Sequence, residues 1–220
     1  MKIFVTGGIG SGKSTFTGIL EERGAAVILA DLVGHANLHD PETKGLLVQA
    51  FGPEILASTG EVSRPALAAR AFVSEESTHL LDSITQPRLY AKCLDLIAQL
   101  EEGNDVVVME MAILDGRDDF YRNADVVVCV TADTEERVKR LVATRGIPED
   151  DARNRIARQA AADEGRLSIA DFVISNNGTL EELMLATDAF IDEAKVPLPD
   201  GGVLPAADVL SDASREKASR

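Results

Sequence analysis

Gly7-Gly8-Ile9-Gly10-Ser11-Gly12-Lys13-Ser14, with Thr15 behind it, fits G-x-x-x-x-G-K-[ST] at every fixed position. The flanks of this stretch decide the fold. Ile3-Phe4-Val5-Thr6 ahead of it is short, apolar and β-prone, and residues 15–23 behind it carry Phe16, Ile19 and Leu20 at helical spacing. A strand, a glycine loop and a helix in that order form a phosphate cradle. Glycines let the backbone curl until its N–H groups converge on phosphate oxygens, and the helix N-terminus adds partial positive charge. Gly8, Ile9, Gly10, Ser11, Gly12, Lys13, Ser14 and Thr15 are therefore candidate contacts to a nucleoside triphosphate with Mg²⁺. Lys13 is placed to reach the β- and γ-phosphates, and the Ser14 hydroxyl to ligate the metal.

Outward from this loop, Gly24 ends the first helix and residues 25–30 read as a second strand closed by Asp31. Helices follow over 32–38, 41–51 and 66–72, the last opened by Pro65. Residues 75–102 are helical, with Pro87 as a kink or a boundary between two segments. Buried-type strands are expected at 105–109 and 125–130. Asp133 or Thr134 would cap a helix to about 145, Gly146-Ile147-Pro148 breaks it, and 148–162 form a second charged helix. A fifth strand at 172–174 and a last helix from Thr179 to about residue 194 complete the pattern. Strands alternating with helices predict an α/β fold with a five-stranded parallel, doubly wound sheet. The expected domain is 1–195, with a helical insertion at about 33–102 and a helical lid at about 140–165. From Val196 to Arg220 the composition turns to Pro, Gly, Ala, Asp and Ser without apolar period, and a disordered tail is expected.

Composition narrows the function. A hydrophobic content of 45% supports a core, and the absence of Trp leaves it to Val, Ile, Leu and Ala. The apolar runs are too short to span a membrane, and a first strand beginning at residue 3 leaves no room for a signal peptide, so a cytoplasmic protein is expected. The formal charge of −15 argues against nucleic acid as a partner. Basic charge is instead concentrated: residues 137–166, under a seventh of the chain, hold 8 of its 22 lysines and arginines. Cys93 and Cys129 are far apart with no metal-ligand spacing, and Cys129 reads as a small buried hydrophobe. His35 and His39 share a helical spacing but lack a third ligand for zinc.

Three further groups can do chemistry. Asp31 stands at the carboxyl end of the second strand, where such sheets place ligand groups, and could orient an acceptor hydroxyl; the alternative is a cap for the following helix. Glu110 and Asp115 follow the third strand and compete for one role, holding Mg²⁺ through water. Arg140 and Arg145 bracket one helix end, while Arg155, Arg158 and Gln159 share a face of the next. Helices joined by Gly146-Ile147-Pro148 read as a lid whose arginines close over phosphates; the alternative is a solvated face paired with Glu149, Asp150 and Asp151.

These residues resemble the dephospho-coenzyme A kinase family. The likeness runs from residue 3 to about 190. It rests on the stretch from Thr6 through Thr15, on Ala30-Asp31, on Arg145-Gly146-Ile147-Pro148 through Arg155-Ile156-Ala157-Arg158-Gln159, and on Asp171-Phe172-Val173-Ile174-Ser175-Asn176-Asn177-Gly178. The resemblance implies ATP-dependent phosphorylation of the ribose 3′-hydroxyl of dephospho-coenzyme A, on a nucleoside monophosphate kinase fold with a coenzyme-binding region and a lid. It implies that Lys13 holds the phosphates, Ser14 the magnesium, Asp31 the acceptor hydroxyl, and Arg140 and Arg145 the transferring group. By the same likeness Asn177 joins the nucleotide contacts, and Gln86, Asp115, Arg155 and Gln159 the substrate contacts. Leu29 replaces the first acid of a usual Asp-Ala-Asp, Gln86 replaces the His of a His-Pro pair, and Met111-Ala112-Ile113-Leu114-Asp115 stands where Pro-Leu-Leu-Phe-Glu is usual. These departures fall on the acceptor side. Other readings are a related small-molecule kinase with a changed acceptor, or a protein that binds ATP without turnover. No N-K-x-D motif follows the fourth strand, which argues against a GTPase.

Overall fold

Alternation along the first strand sets the layers of the molecule. In β1 (Lys2–Thr6) Ile3 and Val5 point to one face and Phe4 to the other, and all three are fully buried. The computed structural model describes residues 1–116 and 118–198. The other strands are β2 (Ala26–Leu29), β3 (Val107–Glu110), β4 (Val126–Thr131) and β5 (Phe172–Ser175). They form a five-stranded sheet in the order β2-β3-β1-β4-β5. Every pairing is parallel, so all carboxyl ends lie along one edge.

Helices cover both faces, as parallel strands require. On one face α1 (Lys13–Glu22) and α9 (Leu180–Glu193) bring Phe16, Leu20 and Phe190 onto Ile3 and Val5. On the other, α2 (Ala30–Asn37) and α5 (Glu75–Glu101) bring Val33, Cys93 and Ile97 onto Phe4 and Met109. Beyond the sheet, α3 (Pro41–Phe51), α4 (Arg64–Ala71) and the start of α5 enclose a separate core of Leu47, Phe51, Ile55, Leu67 and Ala71. A smaller core of Val138, Leu141, Ala152 and Ile156 joins α6 (Thr134–Arg145) to α7 (Glu149–Arg158). Helix α8 (Ala160–Ser168) completes the set. Local signals start several helices: Asp40, Ser63 and Ser74 each accept a backbone N–H, and Thr179 with Glu182 forms a reciprocal capping box.

Several expectations need correction. Pro87 does not divide the segment 75–102; it lies inside one 27-residue helix whose second half is held by Cys93, Ile97 and Leu100 in the core. The second charged helix is two, because the chain breaks at Gln159. Asp31 does not cap a helix: it lies in the first turn of α2, whose N-cap is Leu29. Asp133 is an N-cap without a side-chain bond. His39 lies past the end of α2 and pairs with Glu61 at 2.6 Å rather than sharing a face with His35. The tail does not leave the domain at Val196, which is 7% exposed and packs on the α1/α9 core together with Leu198. The remainder of that expected tail, 199–220, lies outside the described residues. No described helix is long and apolar enough to cross a membrane.

Candidate active site

At the carboxyl edge of the sheet the backbone after β1 turns through residues 7–12 and enters α1 at Lys13. Lys13 Nζ donates to Gly8 O across the loop at 3.2 Å. Its pKa is lowered, first by burial; Glu110 and Asp31 draw it back up, and Arg166 and Arg145 push it down. Those four groups therefore stand within electrostatic reach of the ammonium. Ser14 Oγ donates to Glu110 Oε1 at 2.9 Å and Thr17 Oγ1 to Glu110 Oε2 at 3.0 Å, so the last residue of β3 is clamped to the first two turns of α1. Gly8 lets the Arg137 guanidinium lie close against the loop: a Cβ there would meet Nη2 at 2.2 Å and displace it.

One cavity opens at this centre, and a second lies further along α2. Gly10, Gly12, Lys13, Ser14, Thr15, Arg140 and Arg145 line part of a cleft of about 230 Å³. Asp31 lies in the first turn of α2, and the next turn of that helix, Gly34 and His35, forms one wall of a second cavity of about 700 Å³. Arg64, Ala68, Gln86 and Ile113 also line it. Its walls are mainly apolar, with a few polar groups, and its size is that of a small-molecule site. Burial, then Arg64, lowers the pKa of His35, and Asp31 opposes both.

The structure thus places Gly10, Gly12, Lys13, Ser14, Thr15, Arg140 and Arg145 on one cleft, Glu110 on the Ser14 hydroxyl and Gln86 in the wall of the larger cavity, while Asp31 lines neither and lies in the first turn of α2. The departures Gln86 and Ile113 both line that cavity. Asp115 is buried, 6% exposed, and does not line it. Gln159 is elsewhere than expected: its Oε1 accepts the Ile9 N–H at 2.8 Å. Arg155 is exposed and paired with Asp151 at 3.0 Å, and lines neither cavity. Asn177 Oδ1 accepts the Asp133 N–H at 2.7 Å, while its neighbour Asn176 serves the loop by donating to Ser11 O at 2.9 Å.

Arg137, Asp163, Arg166 and Asn176 were not singled out by the sequence. Arg137 Nε donates to Ile9 O at 2.8 Å and Nη1 to Asp163 Oδ2 at 2.8 Å. Arg166 Nη1 donates to Asp163 Oδ1 at 2.5 Å and Nη2 to Ala112 O at 2.8 Å. The i, i+3 spacing of Asp163 and Arg166 was the available signal for this pair. The site collects positive charge, Lys13, Arg137, Arg140, Arg145 and Arg166, in a chain of net charge −15. Such a centre can hold a triphosphate and stabilise charge moving between its oxygens.

A family model for dephospho-CoA kinase matches residues 1–182. The chain is 46% identical over 196 residues to a dephospho-CoA kinase of Corynebacterium efficiens, covering 88% of this chain and 96% of that one. Among solved structures it is similar to a Thermus thermophilus protein, with a TM-score of 0.74 and 27% identity over 88% of this chain and 97% of that one. It is also similar to a dephospho-CoA kinase from Campylobacter jejuni, with a TM-score of 0.58 and 26% identity over 87% of this chain and 96% of that one. With a family model matched over residues 1–182 and a relative 46% identical over most of both chains, the chain belongs to the dephospho-CoA kinase family.

Proposed function

We propose that this protein transfers the γ-phosphoryl group of ATP to the ribose 3′-hydroxyl of dephospho-coenzyme A, yielding coenzyme A and ADP. The observation that carries this reading is the position of Asp31. It is within electrostatic reach of Lys13 on one side and one helical turn from the wall of the 700 Å³ cavity on the other. An acceptor held in that cavity presents its hydroxyl between the carboxylate and the phosphate loop. Asp31 takes the hydroxyl proton as the oxygen attacks Pγ; the bond from Pγ to the β–γ bridging oxygen breaks, and that oxygen leaves on ADP. Lys13 and the loop N–H groups hold the phosphates, and Arg140 and Arg145 balance charge on the transferring group. In a loose transition state, positioning and charge account for most of the rate.

Oxygen groups suited to magnesium stand beside Lys13. The Ser14 hydroxyl is held on Glu110, and a hard cation of this kind shares its shell between one or two protein oxygens, phosphates and water. Among the described residues no three His, Cys, Asp or Glu side chains form a metal cluster. When bound, Mg²⁺ neutralises phosphate charge; Ser14 would hold it directly and Glu110 through water.

Residues 33–102 serve as the acceptor-binding region and 140–165 as the lid. Support for a lid that moves at α6 and α7 comes from its small core, Val138, Leu141, Ala152 and Ile156, separate from the sheet's cores, while Gln159 and Asp163 anchor its far end at the phosphate loop. A coupled ADP-release assay with ATP, Mg²⁺ and dephospho-coenzyme A, against a no-acceptor control, tests the reading. Acceptor-dependent turnover with product phosphorylated at the ribose 3′ position is expected. Nucleotide binding without acceptor-dependent turnover would overturn it.

A further inference from the structure

Side chains of helix α8 and its N-cap link the phosphate loop to the segment next to the large cavity, in an unbroken line of contacts. At its N-cap, Gln159 Oε1 accepts the Ile9 N–H at 2.8 Å. One turn on, Asp163 Oδ2 accepts from Arg137 Nη1 at 2.8 Å, and Arg137 Nε donates to Ile9 O at 2.8 Å. Both backbone groups of Ile9 are thus engaged from α8, one directly and one through Arg137. The other Asp163 oxygen accepts from Arg166 Nη1 at 2.5 Å, and Arg166 donates to Ala112 O through Nη2 at 2.8 Å and Nε at 3.3 Å. Packing repeats the link: a Cβ on Gly165 would meet Asp115 O at 2.0 Å. The next residue after Ala112, Ile113, forms part of the wall of the 700 Å³ cavity.

Burial makes this line stiff. The side chains of Arg137 and Arg166 are 8% and 5% exposed, and one carboxylate, Asp163, bridges them. Buried charge-assisted bonds of this kind hold geometry more firmly than exposed pairs, which water and salt loosen. The line also has room for a second arrangement. Arg137 Nη2 and Ser11 Oγ are buried without a hydrogen-bond partner among the described residues, and both residues line a cavity of about 120 Å³ beside the phosphate loop. A guanidinium with an unsatisfied donor and free space can re-pair when the loop takes up phosphate.

We infer that α8 couples the two sites, with Asp163 as the positioning residue: nucleotide on the loop 7–14 orders the segment 111–116 at the acceptor cavity through Arg137, Asp163 and Arg166. The identity of the two ligands rests on the function proposed above. The coupling itself needs only that the loop bind nucleotide. By linkage the effect is reciprocal, so acceptor binding tightens nucleotide binding by the same factor.

Hydrogen exchange by mass spectrometry, with and without a non-hydrolysable ATP analogue, tests the coupling. In the unaltered protein the analogue is expected to slow exchange over 111–116 by about fivefold or more. Asp163→Asn keeps the shape and removes the bridging charge; Arg166→Lys keeps the charge and removes the fork on Ala112 O. In each, the ratio of exchange with and without analogue is expected to fall to within about twofold, while calorimetry still detects analogue binding. A purely structural role would speed exchange equally in both states and leave the ratio unchanged, which overturns the proposal. So does bound analogue with no change at 111–116 in the unaltered protein, which needs no variant and leaves the kinase reading standing. Failure of the analogue to bind at all removes both.

Discussion

The side-chain amide of Asn176 fills the space that a side chain on Gly12 would need: a Cβ built there lies 2.0 Å from Asn176 Nδ2. Gly12 also has φ of +96°, which residues with a Cβ rarely adopt. Asn176 in turn donates to Ser11 O at 2.9 Å and accepts Arg140 Nη2 at its own carbonyl, at 2.7 Å. Gly12→Ala is therefore expected to cost about 1–3 kcal/mol in backbone strain alone, with a lower Tm and weaker nucleotide binding. Thermal unfolding with and without nucleotide reads both, and an unchanged Tm would refute the close approach.

Lys13→Met should separate stability from activity. Burial depresses the ammonium pKa in the folded chain. Between that lowered value and the ordinary lysine value, the unfolded chain binds more protons, so stability rises with pH across that window; below it, the penalty is fully present. At pH 7 the nucleotide-free variant is expected to unfold at a higher temperature than the unaltered protein. Phosphoryl transfer should fall by at least about a hundredfold. Calorimetry of the nucleotide-free proteins that finds the variant less stable would contradict the burial penalty.

Asp31→Asn keeps size and loses the base. It is expected to lower kcat by about 10²–10⁴-fold while leaving the Kd for ATP nearly unchanged. Steady-state kinetics beside titration calorimetry distinguish this from a binding defect; a kcat within a few-fold of normal would remove Asp31 from the proton path.

Ala68 lines the large cavity from α4 and lies far in sequence from the phosphate loop. Ala68→Trp should raise KM for the acceptor about tenfold or more by occupying its space, with KM for ATP unaltered. Equal changes in both constants would mean that the cavity is not the acceptor site.

Both cysteines are buried, and burial pushes each thiol up to about 11. The thiolate is the reactive form, so the native protein should resist a thiol-specific disulfide reagent at pH 8 and expose both thiols only on denaturation. Rapid native labelling would show that one of the two core positions opens.

The phosphate loop, the strand order class and Asp31 could be read from residue type and spacing because their requirements are local. A Gly-rich turn, a short apolar run and a strand-end acid carry their signals within a few positions. The break at Gln159 could not be read this way. Arg158 through Ala162 contains no glycine or proline, and the helix parts there as the Gln159 amide engages the Ile9 N–H, 150 residues away. Nor does sequence decide between Asn176 and Asn177, adjacent and identical; only the direction of the chain after β5 turns the first toward the loop. Arg155 had a local partner in Asp151 four residues earlier, a signal that favoured the solvated face for that arginine. Pro87 read as a kink or a boundary because propensity is local, and the boundary fails because the burial that carries α5 through it is not local.

The parallel sheet has a consequence for how this protein is born. Its chemistry is divided among strand ends, Lys13 after β1, Asp31 after β2, Glu110 closing β3 and Asn176 after β5, with Ser11 and Asn176 lying 165 residues apart. Each parallel neighbour must wait for the helical crossover between strands to be synthesised and packed. A nascent chain that ends before β5 carries an intact glycine motif but lacks Asn176, the side-chain donor to Ser11 O. The last strand to be translated therefore leads into the residue that completes the first loop.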